Sequence, residues 1–284
     1  MLRKSTLQLL RFPFSFFLMP VYWFALGQVG EKSIFSAIIV FIILHLLVYP
    51  ASNGYNSYMD RDQTSIGGLK NPSQPTRQLF YATVLMDAMA VLLSFFVSVY
   101  FAAGIFTYIM MSRAYSYRGI RLKKYPVIGY LTVVLFQGAV IFFLVYHGCS
   151  VNKTFNVPVL CLLASLLLIG GFYPLTQIYQ HEADLQDNVK TISYLLGYRG
   201  TFIFCAILYC AAFATLGFYL FNSQQQKEFF VLSMAMLPVI GYFFRWAIKV
   251  WKNTAEANFR NTMRMNFLAS LCTNLGFIVV LIIK

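Results

Sequence analysis

Residues 53–72 read NGYNSYMDRDQTSIGGLKNP and lie between two long apolar runs. They place Asn53, Asn56, Asp60 and Asp62 where one run ends, and Gly67-Gly68 break the chain before the next begins. A second polar segment, QHEADLQDN at 180–188, adjoins an apolar run in the same way. The chain has nine acidic residues, and five of them (Asp60, Asp62, Glu182, Asp184 and Asp187) fall in these two segments. If the apolar runs cross a membrane, both acidic segments sit at one depth.

Composition supports that condition. Of 284 residues, 59% are hydrophobic and 11% charged, whereas a soluble domain carries roughly 25% charged residues. The fold class expected is therefore all-α: a polytopic membrane protein around a central cavity. Stretches near the roughly 20 residues needed to cross fall at 12–29, 33–49, 79–100, 101–111, 127–146, 157–177, 201–221, 229–248 and 265–283. That makes about nine transmembrane helices, with the short fourth joined to the third near Gly104. No polar or Pro-rich linker divides them, so residues 1–284 form a single membrane domain.

The net charge of +13 could suit nucleic acid, but its placement points to topology. With the N-terminus cytoplasmic, only Lys32, Lys153, Lys227 and Lys284 of the 22 Lys and Arg lie on the far side. That bias is the positive-inside rule. It predicts an integral, multi-pass protein that meets the lipid bilayer and no nucleic acid, with both acidic loops cytoplasmic. In a bacterium this would be the inner membrane. The first apolar run follows Arg3, Lys4 and Arg11 but lacks a small-residue cleavage pattern, so it reads as a permanent span rather than a signal. The five cysteines, four of them inside spans, form neither a disulfide framework nor a metal spacing. Asp87 sits within a span, where an ionisable group is costly and a functional candidate by default; a buried hydrogen-bonded role weighs equally. His45 reads as a core side chain.

On a helix, Asn53, Asn56, Asp60 and Thr64 share one face, as do Gln180, Asp184, Asp187 and Asn188, with Glu182 nearly opposite. Asp62 joins Asp60 only if the chain has left the helix there. Carboxylates and amides without His or Cys are hard donors suited to Mg2+, which keeps water and binds a ligand's phosphates. Two such groups facing each other would hold a diphosphate, with Arg113, Arg118, Arg121, Lys123 and Lys190 in the same layer to take the remaining charge.

These residues resemble the UbiA family of intramembrane prenyltransferases. Asn56 and Asp60 are similar to its N-x-x-x-D-x-x-x-D motif. Tyr115-Ser116, followed by Arg121-Leu122-Lys123, Tyr125-Pro126 and Gly129, resembles its loop between the fourth and fifth spans. The second segment with Lys190-Thr191 resembles its second Asp-rich motif. Departures are visible: Thr64 stands at the third position of the first motif, with Asp62 offset by two, and Gln180 and Asn188 flank Asp184 where Asp is usual.

The resemblance implies transfer of a polyprenyl group from its diphosphate to a membrane-embedded acceptor, most commonly an aromatic quinone precursor. It implies Mg2+ held by Asn56, Asp60, Asp62, Asp184 and Asp187. Arg121, Lys123, Lys190 and Tyr115 would meet the diphosphate, and Asp60, Asp184 and Lys123 would be catalytic. The departures leave open an altered activity and which acidic residue takes which metal. A secondary transporter also sets charges on broken helices, but near the midplane rather than at the ends of spans. A CDP-alcohol phosphotransferase would need a D-x-x-D-G…A-R…G…D-x-x-x-D pattern that the chain lacks.

Overall fold

The computed structural model describes residues 2–283 and is helical, with only two isolated bridges, Lys32 to Ser150 and Ile66 to Leu69, and no strands among the described residues. The helices are α1 (Lys4–Leu10), α2 (Met19–Gln28), α3 (Ile34–Phe41), α4 (Tyr49–Asp60), α5 (Arg77–Ser94), α6 (Val99–Ser116) and α7 (Pro126–Val134). They continue as α8 (Ile141–Cys149), α9 (Val159–Gln177), α10 (His181–Gln186), α11 (Ile192–Asn222), α12 (Gln226–Lys252) and α13 (Phe259–Ile283). A π-helical segment, Ile42–Val48, joins α3 to α4, and Leu135–Val140 joins α7 to α8. The results are continuous rods of 27 and 24 residues.

Six helical rods are long and apolar enough to cross a membrane, and the bent pair Lys4–Phe17 and Met19–Gln28 makes up to seven. The expected count of nine is not reached by this measure, because α5 and α6, at 18 residues each, carry Arg77, Asp87 and Arg113. Lys284 lies outside the described residues. Large apolar side chains such as Ile34, Phe96, Phe230 and Met234 are exposed on the outer surface, as a bilayer-facing surface requires.

The sequence differs from the structure in how two spans begin and end. Residues 12–29 read as one span, yet Arg11 adopts a left-handed conformation (φ 48°), Phe12–Phe17 tighten into a 3-10 turn, and α2 leaves at 43°. The break between the third and fourth spans falls at 95–98, not near Gly104. Ser98 starts α6 by accepting from Phe101 N–H at 3.0 Å. Gly104 instead lies inside α6, where a Cβ would collide with the Leu144 side chain of α8. Glycine there serves helix packing rather than chain breaking.

Inside a bilayer every backbone group needs a protein partner. Pro174 in α9 cannot donate to Gly170 O four residues back. Tyr130 Oη replaces that donor at 3.2 Å, tying α7 to α9. Closer still is the contact at Gly138, where an added Cβ would stand 2.9 Å from both Leu166 Cα and Ser165 O. Backbone cannot swing aside as a side chain can, so Gly138→Ala should destabilise the protein by about 1–3 kcal/mol. Thermal unfolding in detergent checks this; an unchanged Tm would contradict so tight a contact.

One charged pair lies within the spans. Asp87 accepts from Arg113 in a largely buried ion pair, and the Arg113 guanidinium lies 3.8 Å from the centre of the Tyr55 ring. α4, α5 and α6 are clamped together just beneath the residues of the acidic segment, which favours the structural alternative for Asp87. His45 is buried among Tyr22, Phe41 and Tyr49. Cys205 is buried in the core, whereas Cys210 is exposed on the outer surface.

Candidate active site

The last turn of α4 carries the first acidic segment. Asn53, Asn56 and Asp60, at i, i+3 and i+7, line a cavity of about 220 Å³ bounded by α4, α6, α7 and α9. Asn56 Nδ2 donates to Ser116 Oγ at 3.0 Å and Ser112 Oγ to Ser52 Oγ at 2.9 Å, which fixes α4 against α6. Helix α4 ends at Asp60, because Arg61 turns left-handed (φ 55°) and returns its N–H to Ser57 O at 3.1 Å. Arg118 donates to the carbonyls of Met59 (2.7 Å) and Asp60 (3.4 Å), a cation where the helix dipole is negative.

This stop decides which acidic side chains enter the cavity. Asp62 is in the loop after the helix and turns into the cavity beside Asp60. Thr64, which would follow Asp60 on a continued helix, is exposed and outside it.

The basic loop after α6 meets both acidic segments. Lys123 Nζ donates to Asp60 Oδ2, and the Arg121 guanidinium lies 3.5 Å from Asp60 Oδ1. The same Arg121 pairs with the Asp187 carboxylate and donates to its backbone carbonyl at 3.1 Å, while Arg118 stands 3.6 Å from Asp187. Arg121 thus bridges segments more than a hundred residues apart.

The second segment is not one continuous face. α10 covers only six residues, Asp187 is its C-cap, and Asn188 is left-handed (φ 56°). Gln180 and Asp184 reach the cavity, Asp187 turns to the two arginines, and Glu182 is exposed, opposite as expected. His181 anchors this short helix: its Nε2 lies 2.9 Å from Ser193 Oγ, and its ring stacks on Tyr198 at 4.8 Å. Burial holds its pKa down at about 4, so it is neutral near pH 7.

Charge within the cavity is unbalanced. Burial, then the neighbouring Asp60, raises the Asp62 pKa to about 6. Burial likewise raises Asp184 to about 7; Lys123 opposes this, and Asp60, Asp62 and Asp187 add to it. Neither Asp62 nor Asp184 has a salt-bridge partner among the described residues. Asp60 Oδ1 is buried without a hydrogen-bond donor. No three His, Cys, Asp or Glu side chains among the described residues could hold a metal ion as a closed protein site. Deeper, the walls are Tyr108, Tyr115, Phe136 and Tyr173, with Tyr115 and Tyr173 joined through their hydroxyls.

The UbiA prenyltransferase family model matches residues 16–270. The chain belongs to the UbiA prenyltransferase family. Solved structures of similar fold include a UbiA homologue from Archaeoglobus fulgidus bound to GPP and Mg2+ (TM-score 0.72, 18% identity, 98% of this chain and 99% of that one). A UbiA homologue from Archaeoglobus fulgidus bound to DMAPP and Mg2+ gives TM-score 0.70 at 18% identity, covering 99% of this chain and 100% of that one. A digeranylgeranylglyceryl phosphate synthase gives TM-score 0.63 at 17% identity over 99% of each chain. At such identities the likeness is one of fold. No curated protein matches the chain.

Of the residues expected from the sequence, the UbiA-family fold brings Asn56, Asp60, Asp62, Asp184, Lys123 and Tyr115 to one cavity, with Arg121 and Asp187 at its rim. Lys190 is exposed and does not line it, whereas the next residue, Thr191, does and caps α11. Sequence reading missed Tyr173, Gln177 and Arg11. Tyr173, Gln177 and Gln180, at i, i+4 and i+7, form a polar stripe running off the end of α9, a signal present in the sequence. Arg11 donates to Gly67 O (3.1 Å) and Asn53 O (3.3 Å) and so holds the loop after α4; as one of several N-terminal cations it carries no such mark.

Proposed function

We propose that this protein transfers a polyprenyl group from its diphosphate to an acceptor held in the membrane. One observation carries the reading: two acidic segments and a basic loop, remote in sequence, converge at the mouth of a cavity whose deeper walls are aromatic. A diphosphate head fits the mouth and an isoprenoid tail the interior.

The donor set suits Mg2+. Asp62 and Asp184 have no salt-bridge partner among the described residues, Asp60 Oδ1 lacks a hydrogen-bond donor, and hard oxygen donors of this kind suit a cation that shares its shell with water and phosphate oxygens. Asp60, Asp62 and Asp184, with Asn56 beside them, would hold the ion. Asp187, turned to Arg121 and Arg118, is better placed to position those guanidiniums. When bound, Mg2+ would stabilise the negative charge that gathers on the departing diphosphate.

The protein's own groups do the rest. Lys123 and Arg121 supply hydrogen bonds that strengthen as the allylic C–O bond breaks and its electron pair leaves with the diphosphate. The faces of Tyr108, Tyr115, Phe136 and Tyr173 shield the allylic cation and attract it by cation–π interaction. The acceptor then forms the new bond and loses a proton. An aromatic acceptor remains the reading drawn from the resemblance. The bias of Lys and Arg along the sequence supports a cytoplasmic mouth.

The test is incubation of purified protein with a prenyl diphosphate, Mg2+ and membrane lipid extract. Formation of a prenylated lipid together with inorganic diphosphate is expected. Absence of both, with correctly folded protein, would contradict the proposal.

A further inference from the structure

We propose that the groove between Lys70 and the first turns of α13 holds the phosphate of one anionic bilayer lipid, whose chains lie along the outward face of α13. The groove, about 580 Å³ and open to the surface, is walled by Lys70, Arg260 and Arg264 and floored by Phe259, Met263 and Phe267. None of its residues lines the cavity described above, so the inference stands independently of the proposed reaction.

Three observations define the ligand. First, all three cations are exposed, and none forms a salt bridge among the described residues. Glu256, three residues before the start of α13, has its carboxylate engaged by Asn261 Nδ2 at 2.9 Å. Second, the groove is held in shape, because Gly68 N–H points at Met263 Sδ at 3.3 Å and fastens the loop bearing Lys70 to α13. Third, Arg260, Met263, Arg264 and Phe267 follow helical spacing on one face. That face continues through Leu275, Val279 and Ile282, which are 53%, 41% and 76% exposed.

A cationic head above an apolar lane matches a phospholipid and nothing wholly polar. Guanidinium groups take phosphate oxygens in paired hydrogen bonds. Basic residues at the cytoplasmic ends of spans attract anionic headgroups. An acidic peptide, a nucleic acid or free phosphate would leave the lane of Leu275, Val279 and Ile282 unused.

Native mass spectrometry of the full chain, released from nanodiscs of phosphatidylcholine doped with phosphatidylglycerol, tests this. The protein should retain phosphatidylglycerol in preference to phosphatidylcholine. Joint Lys70→Gln, Arg260→Gln and Arg264→Gln substitution should reduce that retention by about tenfold or more. Should the triple variant not fold, Arg264→Gln alone must still reduce it. Phe267→Ala should weaken retention while the charges remain. Equal retention of both lipids, or undiminished phosphatidylglycerol in the variants, would overturn the proposal. So would displacement of the lipid by millimolar inorganic phosphate, which would mark a site for free anions.

Discussion

Exchange of Asp60 for Asn is expected to lower prenyl diphosphate turnover by about a hundred- to a thousandfold, the scale of losing one preorganised charge at a reacting centre. Asn keeps the shape of the side chain and removes its charge. In the structure that charge is the partner of Lys123 and lies 3.5 Å from Arg121, so the substitution also loosens the groups that would meet the diphosphate. The fold should survive, because α4 is closed by Arg61 and by Arg118 on the Met59 and Asp60 carbonyls, none of which uses the Asp60 carboxylate. Asp184→Asn should act comparably, and Asp62→Asn and Asp187→Asn less. Turnover measured beside circular dichroism decides the matter: wild-type activity in folded Asp60→Asn protein would remove the site assignment.

The prominence of Asp60 was legible in the sequence because carboxylates are scarce in this chain and cluster at the ends of apolar runs. The departure at Thr64 was legible too, though not its reason. Helix α4 stops at Asp60, so Asp62 takes the inward position four residues of helix would have given Thr64. The pairing of Lys123 with Asp60, 63 residues away, could not be read from spacing. It depends on α4 and α6 lying side by side, fixed by the Asn56–Ser116 and Ser52–Ser112 hydrogen bonds. Gly104 misled for a related reason: a glycine that breaks a chain and one that admits a neighbouring helix look alike until Leu144 is seen against it. The family resemblance contributed the reaction; neither charge nor periodicity could have named it.

Lys123→Ala should weaken binding of a prenyl diphosphate by about ten- to a hundredfold, since a hydrogen bond to a charged group is worth about 1.5–3 kcal/mol and each 1.4 kcal/mol is tenfold. The Lys123 side chain is 12% exposed and already points its ammonium into the cavity mouth, unlike a lysine that only sets orientation. Lys123→Arg keeps the charge but brings a planar fork into a space shaped for a compact ammonium, so it should bind more tightly than the alanine variant and turn over more slowly than wild type. Binding by Lys123→Ala equal to wild type at matched expression would leave this residue only a topological role.

The most direct measurement uses proteoliposomes supplied with radiolabelled prenyl diphosphate, Mg2+ and the lipid extract. Label should pass to a lipid with stoichiometric release of inorganic diphosphate, and Asp60→Asn should lower both by about a hundred- to a thousandfold. Intact labelled substrate accumulating within the vesicles, with no diphosphate released, would identify a transporter and contradict prenyl transfer.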